Sequence, residues 1–267
     1  MRWTFLFAAT LAAAQAIPSD ARAKKVVDGA IQALGGDNFL KMEDRIETGR
    51  AYTFYRDQIS GRDIAHIYTR YISVPEGKTG EILGQRERES FGKQEETGVL
   101  FTEKGAWEIS WRGTKELPKE TYDRYRDTTL RNIFYILRFR LHEPGMTLES
   151  HGADVVDNQP VEIVDFIDAD NHTVTVHFHQ STKLPVRQIY AHYNEKDKQR
   201  DVEVTLYSRY QMVNGVNWPH QIHRERNGDK VYEIFSESVQ INQNLTDDLF
   251  SLPPEGSDPG KLPKRKK

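Results

Sequence analysis

The chain has 267 residues, a formal net charge of -3 and no cysteine. The lack of cysteine excludes disulfides and a lipid anchor on a cysteine thiol, and the near-neutral charge argues against electrostatic nucleic-acid binding. With 37% hydrophobic and 29% charged residues, the composition indicates a charged surface over a modest apolar core.

Residues 1–16 have the three-part pattern of a cleavable secretory signal peptide. Met1-Arg2 supplies a positive start, Trp3 to Ala14 carries no charge, and Ala14-Gln15-Ala16 fits a cleavage site. The apolar run is too short for a membrane span, which needs about 20 residues. We therefore predict export to the periplasm or secretion, in soluble form after cleavage. A buried N-terminal helix and an uncleaved anchor are the alternatives.

A first helix is predicted after Ser19 or Asp20, either of which can cap it. One apolar stripe follows at helical spacing from Ala23 to Leu34, and Gly35-Gly36 ends it. A short helical turn is expected at Phe39–Met42.

Apolar periodicity then changes to two, which indicates strands. Trp107, Ile109 and Trp111 share one face of the last strand in this first group. The predicted strands are 45–56 and 62–74, joined through Ser60-Gly61, followed by 78–89, 95–103 and 107–111.

A second helix of about 22 residues is predicted from Pro118, placed at its first position, to Leu141. A second group of strands follows it, with Asn227-Gly228 as a tight hairpin turn. Its predicted strands are 147–156, 161–168, 172–180, 185–193, 200–212, 219–227 and 230–241.

These patterns predict a mainly β, α+β fold in a single domain, residues 17–252. We expect one strongly curved antiparallel sheet of about eleven strands, forming an unclosed barrel whose concave face is covered by two or three helices. Residues 253–267 are predicted to be a disordered basic tail, either inert or in contact with anionic lipid head groups.

Several strand–turn phrases resemble the outer-membrane lipoprotein carrier (LolA-like) superfamily, most closely its uncharacterised longer exported members. The resemblance implies an unclosed barrel that holds acyl chains in an apolar cavity and moves lipid or lipoprotein through the periplasm. The phrases are Ala33–Asp37 with Phe39-Leu40, Thr182–Arg187, Tyr207–Tyr210, Val213–Pro219, Val239–Asn242 and Leu245–Leu252.

Aromatic and apolar side chains are the candidate ligand-binding residues. They either line a cavity or simply fill the core between helices and sheet. The candidates are Trp107, Trp111, Phe134, Leu137, Phe166, Phe178 and Tyr207.

A metal site is the main alternative, because His177 and His179 share one face of a strand, with His192 and His223 on other strands. Two exposed histidines are the simpler interpretation. The acidic residues Asp165, Asp168 and Asp170 cluster near a predicted turn; turn formation explains them, and a calcium site is the alternative.

No catalytic motif is present, so we predict a protein without cofactor that is not an enzyme. The leading hypothesis is a monomeric carrier of an apolar small molecule or lipid. A non-catalytic envelope module, contacting an envelope protein or a membrane surface, is the second. A metal-dependent hydrolase using His177 and His179 is the third.

Overall fold

The computed structural model describes residues 20–75, 82–194 and 198–252. The predicted signal peptide, 1–16, and the predicted basic tail, 253–267, lie outside the described residues.

Short helices interrupt a series of strands. The helices are α1 (Ala21–Leu34), α2 (Asp37–Leu40), α3 (Lys119–Leu130) and α4 (Ile133–Tyr135), which continues as a π-helical stretch (Ile136–Arg140), and a 3₁₀ turn covers Asp247–Phe250. The strands are β1 (Asp44–Tyr55), β2 (Gln58–Tyr71), β3 (Gln85–Phe91), β4 (Thr97–Thr102), β5 (Gly105–Ser110), β6 (Gly113–Glu116), β7 (Thr147–Val156), β8 (Gln159–Ile167), β9 (Thr173–His179), β10 (Pro185–Asn194), β11 (Gln199–Val213), β12 (Val216–Arg226) and β13 (Asp229–Ile241).

All of these strands form one antiparallel sheet in the order β6-β5-β4-β3-β2-β1-β13-β12-β11-β10-β9-β8-β7. Two meanders, β1–β6 and β7–β13, join where β1 pairs with β13, while β6 and β7 remain as edges. The predicted curved, unclosed sheet is confirmed, with thirteen described strands instead of about eleven. β6 was not predicted because Gly113–Glu116 contains no apolar residue and so shows no alternation.

The turn between β1 and β2 differs from the prediction. The chain reverses at Arg56 and Asp57, which both have positive φ (51° and 60°), and Gly61 lies inside β2. Glycine usually marks such left-handed positions, so Ser60-Gly61 was a misleading signal. The predicted Asn227-Gly228 hairpin is confirmed, with φ of 53° and 86°.

The first helix is confirmed. The Asp20 carboxylate accepts a hydrogen bond from the Arg22 N–H, and Gly35 ends the helix at φ 127°. A Cβ on Gly35 would lie 2.3 Å from the Gly215 carbonyl oxygen, so this end needs glycine for space as well as for φ.

The second helix is not continuous as predicted. Pro118 stands at the N-cap position, one residue before α3, and α3 ends at Leu130. The Asn132 side chain then accepts a hydrogen bond from the Phe134 N–H at the start of α4. The Ile133 N–H donates to Gln188 Oε1 on β10 at 2.8 Å. A tertiary hydrogen bond thus takes a backbone donor that a continuous helix would have used.

We call the face of the sheet that carries α1, α2 and α4 the inner face. The main core lies there, where the Phe134 ring packs 5.0 Å from Tyr207 and 4.9 Å from Trp218. A smaller core on the outer face packs Leu245 and Phe250 of the C-terminal segment against Leu100. No helix of the described residues is long and apolar enough to span a membrane.

Candidate functional site

The seven predicted ligand-binding residues are not gathered in one place. Five of them are buried in the inner-face core: Phe134, Leu137, Phe166, Phe178 and Tyr207. Trp107 is half-buried on the outer face, opposite Leu100, and Trp111 is 72% exposed in the turn between β5 and β6. The five buried residues and the two tryptophans therefore lie in separate surroundings.

A second apolar cluster lies on the inner face beyond the helices, and we call it the inner basin. Ala51, Ala65 and Ile234 are buried at its floor. Its larger side chains are only half-buried, in contrast to the closed core under α1 and α4: Ile67, Phe91, Ile222 and Tyr232.

The helical segment α3–α4 crosses over this side of the sheet. At one end, Tyr125 stacks on Phe101 of β4 at 3.8 Å, and its hydroxyl accepts from Gln85 Nε2 of β3 at 2.9 Å. At the other end, Gln188 of β10 accepts from the Ile133 N–H. One segment touches both β3–β4 and β10, which are far apart in the sheet order, because the sheet curves around it.

A charged network lies beside the basin. Arg45 forms a salt bridge with Glu47 at 2.9 Å and donates to Thr69 Oγ1 at 2.9 Å, and Thr69 in turn donates to Glu87 at 2.9 Å. The Arg45 guanidinium also lies 3.9 Å from Glu87. Burial raises the pKa of Glu87, while Arg45 acts to lower it. The Glu87 carboxylate thus has both Thr69 and Arg45 as partners.

The side chains of Glu89 and Arg224 differ from this network, because they form no hydrogen bond or salt bridge within 20–75, 82–194 and 198–252. The Arg224 guanidinium lies 5.6 Å from the Tyr232 ring centroid, and its buried Nε has no partner there. Burial raises the pKa of Glu89 to about 7, with the Glu87 carboxylate adding to the rise and Arg224 opposing it. The inner basin therefore has a carboxyl group and a guanidinium group beside it that are not paired with another side chain of the described residues.

The sequence did not single out Glu87, Glu89 or Arg224. In β3 a charged residue stands at every position from Arg86 to Glu89. No apolar alternation says which of them turn inward. Only the pairing of Glu89 with Ile67 assigns it to the inner face.

The outer face carries a half-open groove of about 360 Å³. Its lining includes Leu206, Arg187 and His177, which is 6% exposed and whose Nδ1 has no partner among the described residues. Burial, followed by the charge of Arg187, lowers the pKa of His177.

The four histidines of the metal hypothesis do not converge. His177 and His179 lie on the outer face of β9, whereas His192 stacks on Tyr190 of the inner face at 5.0 Å. His223 lies on β12, three strands from β9 or about 14 Å along the sheet, and bonds Glu225 at 2.8 Å. The structure does not bring the four histidines of that alternative together.

One group in the described part of the chain has metal-like spacing: Asp168, Asp170 and His172. Asp168 Oδ1 accepts from the Asp170 and His172 N–H groups, and its Oδ2 lies 3.2 Å from the Arg140 guanidinium. Burial acts to raise the pKa of Asp168, but the His172 N–H and Arg140 outweigh it and hold the pKa below its usual value. The contacts of Asp168 fit the turn predicted for Asp168 and Asp170, and its ion pair with Arg140 was not predicted.

No protein-family model matches the sequence, and no curated protein matches it. Several solved structures are similar to it in fold. A DUF1329 family protein from Desulfovibrio piger is 14% identical with a TM-score of 0.58, over 86% of this chain and 97% of that one. A domain named for outer membrane lipoprotein sorting, from Vibrio parahaemolyticus, is 12% identical with a TM-score of 0.55, over 85% and 97%.

A LolA superfamily protein from Nitrosomonas europaea is 11% identical with a TM-score of 0.50, over 86% of this chain and 97% of that one. At these identities the likeness concerns the fold alone. The resemblance predicted from the strand–turn phrases is thereby confirmed at that level: the structure neighbours of this chain are DUF1329 and LolA-superfamily proteins.

Proposed function

We propose that this protein is an exported carrier that shelters a lipid, a lipoprotein acyl chain or another apolar ligand against the inner face of its sheet. The single observation behind the proposal is the inner basin, whose large apolar side chains stay half-buried inside a curved sheet. A sheet face built only to fill a core would bury them. The fold shared with a domain named for lipoprotein sorting supports the same proposal.

The free energy available is sufficient for a carrier. Burying one methylene group stabilises a complex by about 0.8 kcal/mol, so about ten methylenes supply about 8 kcal/mol. That corresponds to a dissociation constant of about 1 µM before the cost of ordering the chain is subtracted. A carrier needs binding of this order, because it has to release its cargo.

In this proposal, residues 17–252 act as one domain after removal of residues 1–16, and the protein performs no chemical step. The five predicted residues that are buried in the inner-face core, Phe134, Leu137, Phe166, Phe178 and Tyr207, stabilise the sheet next to the inner basin.

Binding of a fluorescent fatty acid to the full chain tests the proposal. Ile67→Asn places an amide in the basin, and we expect it to weaken binding by about tenfold, or about 1.4 kcal/mol. Ile59→Asn is the matched control, since Ile59 lies on the same strand and is 61% exposed. Lipid extraction of protein purified from its own host provides a second readout.

Protein that takes up no fluorescent fatty acid and carries no lipid would refute the carrier. Equal binding by Ile67→Asn and the wild type would refute the basin as its site.

A further inference from the structure

Two opposite charges, Glu89 and Arg224, face the inner basin without pairing. Glu89 stands on β3 and Arg224 on β12, with β2, β1 and β13 between them in the sheet. Along a flat sheet this is about 19 Å. The register places both beside the basin, because Glu89 pairs with Ile67 and Arg224 pairs with Tyr232. The charge of Arg224 acts on the Glu89 carboxyl, yet the two side chains form no salt bridge.

No titratable group around Glu89 forms a salt bridge with its carboxylate among the described residues. The titratable groups that act on Glu89, or on which it acts, are Glu87 of its own strand, Tyr125 of α3, Arg224 of β12 and Tyr232 of β13. Burial raises the pKa of both tyrosines, so they stay neutral. Glu87 already has Thr69 and Arg45 as partners.

An unpaired charge in a half-buried apolar site is costly unless a partner reaches it. Here an acceptor and a donor stand apart beside the same apolar floor. A ligand that satisfies both must carry a cation and an anion, and its apolar part must rest on Ile67, Phe91 and Ile222. An acyl chain with a neutral head would leave both charges without partners.

We propose that the inner basin binds a single-chain amphiphile with a zwitterionic head group, its ammonium at Glu89 and its phosphate at Arg224. The inference rests on the proposed carrier function and specifies the head group of the cargo. A guanidinium donates to phosphate oxygens and a carboxylate accepts from an ammonium, both as charge-assisted hydrogen bonds.

Three probes with the same acyl chain separate the two charges: lysophosphatidylethanolamine, lysophosphatidylglycerol and a monoacylglycerol. Each displaces the neutral fluorophore N-phenyl-1-naphthylamine from the full chain at about pH 8.5, where Glu89 is ionised. We expect the ethanolamine lipid to bind about tenfold more tightly than the glycerol phospholipid, and this to bind more tightly than the monoacylglycerol.

The variants assign each preference to one side chain. Glu89→Gln is expected to abolish the preference for the ethanolamine lipid and to keep that for phosphate. Arg224→Gln is expected to abolish the preference of both phospholipids over the monoacylglycerol. Glu149→Gln, an exposed glutamate on β7, is the matched control and keeps the wild-type order.

Equal affinity for the three probes would overturn the head-group inference and leave the carrier standing. Persistence of the ethanolamine preference in Glu89→Gln would overturn it as well. Failure of all three probes and of the fluorophore to bind would overturn the carrier itself.

Discussion

The half-buried carboxyl group of Glu89 makes the stability of the protein depend on pH in a way that Glu89→Gln should remove. Its pKa of about 7 in the folded protein compares with an ordinary value of 4.5. Each pH unit between these values is worth about 1.4 kcal/mol, which sets a ceiling of about 3 kcal/mol. Since Glu89 is half-buried and acts together with Glu87, we expect about 1–2 kcal/mol.

The sign follows from proton binding. Below about pH 4.5 Glu89 is protonated in both states, so the substitution has little effect. Between about 4.5 and 7 the unfolded chain releases a proton that the folded chain keeps, so the wild type loses stability as pH rises. Above about 7 the loss is complete, and Glu89→Gln should then be the more stable protein.

Urea unfolding of the wild type and Glu89→Gln at about pH 4 and pH 8.5 measures this difference. Glu149→Gln serves as the control, because its exposed carboxyl should give the same small effect at both pH values. A stabilisation by Glu89→Gln that is equal at both pH values, or absent at the higher one, would refute the burial of an unpaired carboxyl in the inner basin.

The remaining predictions concern thermal and urea unfolding. Phe134→Ala empties the centre of the inner core and should cost about 3–5 kcal/mol. Gly49→Ala should cost about 1–3 kcal/mol, because its Cβ would lie 2.2 Å from the Phe235 carbonyl oxygen. Asp44→Ala leaves two backbone N–H groups of the C-terminal segment without their carboxylate and should cost about 2–3 kcal/mol. Trp111→Ala should change stability by less than about 0.5 kcal/mol, and a loss comparable with that of Phe134→Ala would contradict its exposure.

Elements defined by local patterns could be predicted from the sequence. The stripe from Ala23 to Leu34 and its flanking caps predicted α1 because spacing, capping and the glycine end all act within one helix. The seven strands from Thr147 to Ile241 were predicted from alternation and turns. The curvature was predicted from the total number of strands in the sheet. The likeness to the carrier superfamily rested on the same local phrases.

Features that depend on distant partners could not be predicted. The break between α3 and α4 depends on Gln188, 55 positions away from Ile133, whose N–H it binds. Likewise, aromatic character alone could not separate buried Phe134 from exposed Trp111. Burial depends on which element covers a residue, and no local pattern carries that information.

The site shows the same division. The sequence by itself determined that a curved antiparallel sheet with an apolar inner face would form, because side chains alternate between the faces of every strand. Only the tertiary structure decided that α4 closes one part of that face and leaves the inner basin half-exposed. It also decided that Glu89 and Arg224 lie on the same inner face, where the charge of Arg224 acts on Glu89 across four strand spacings because the sheet curves.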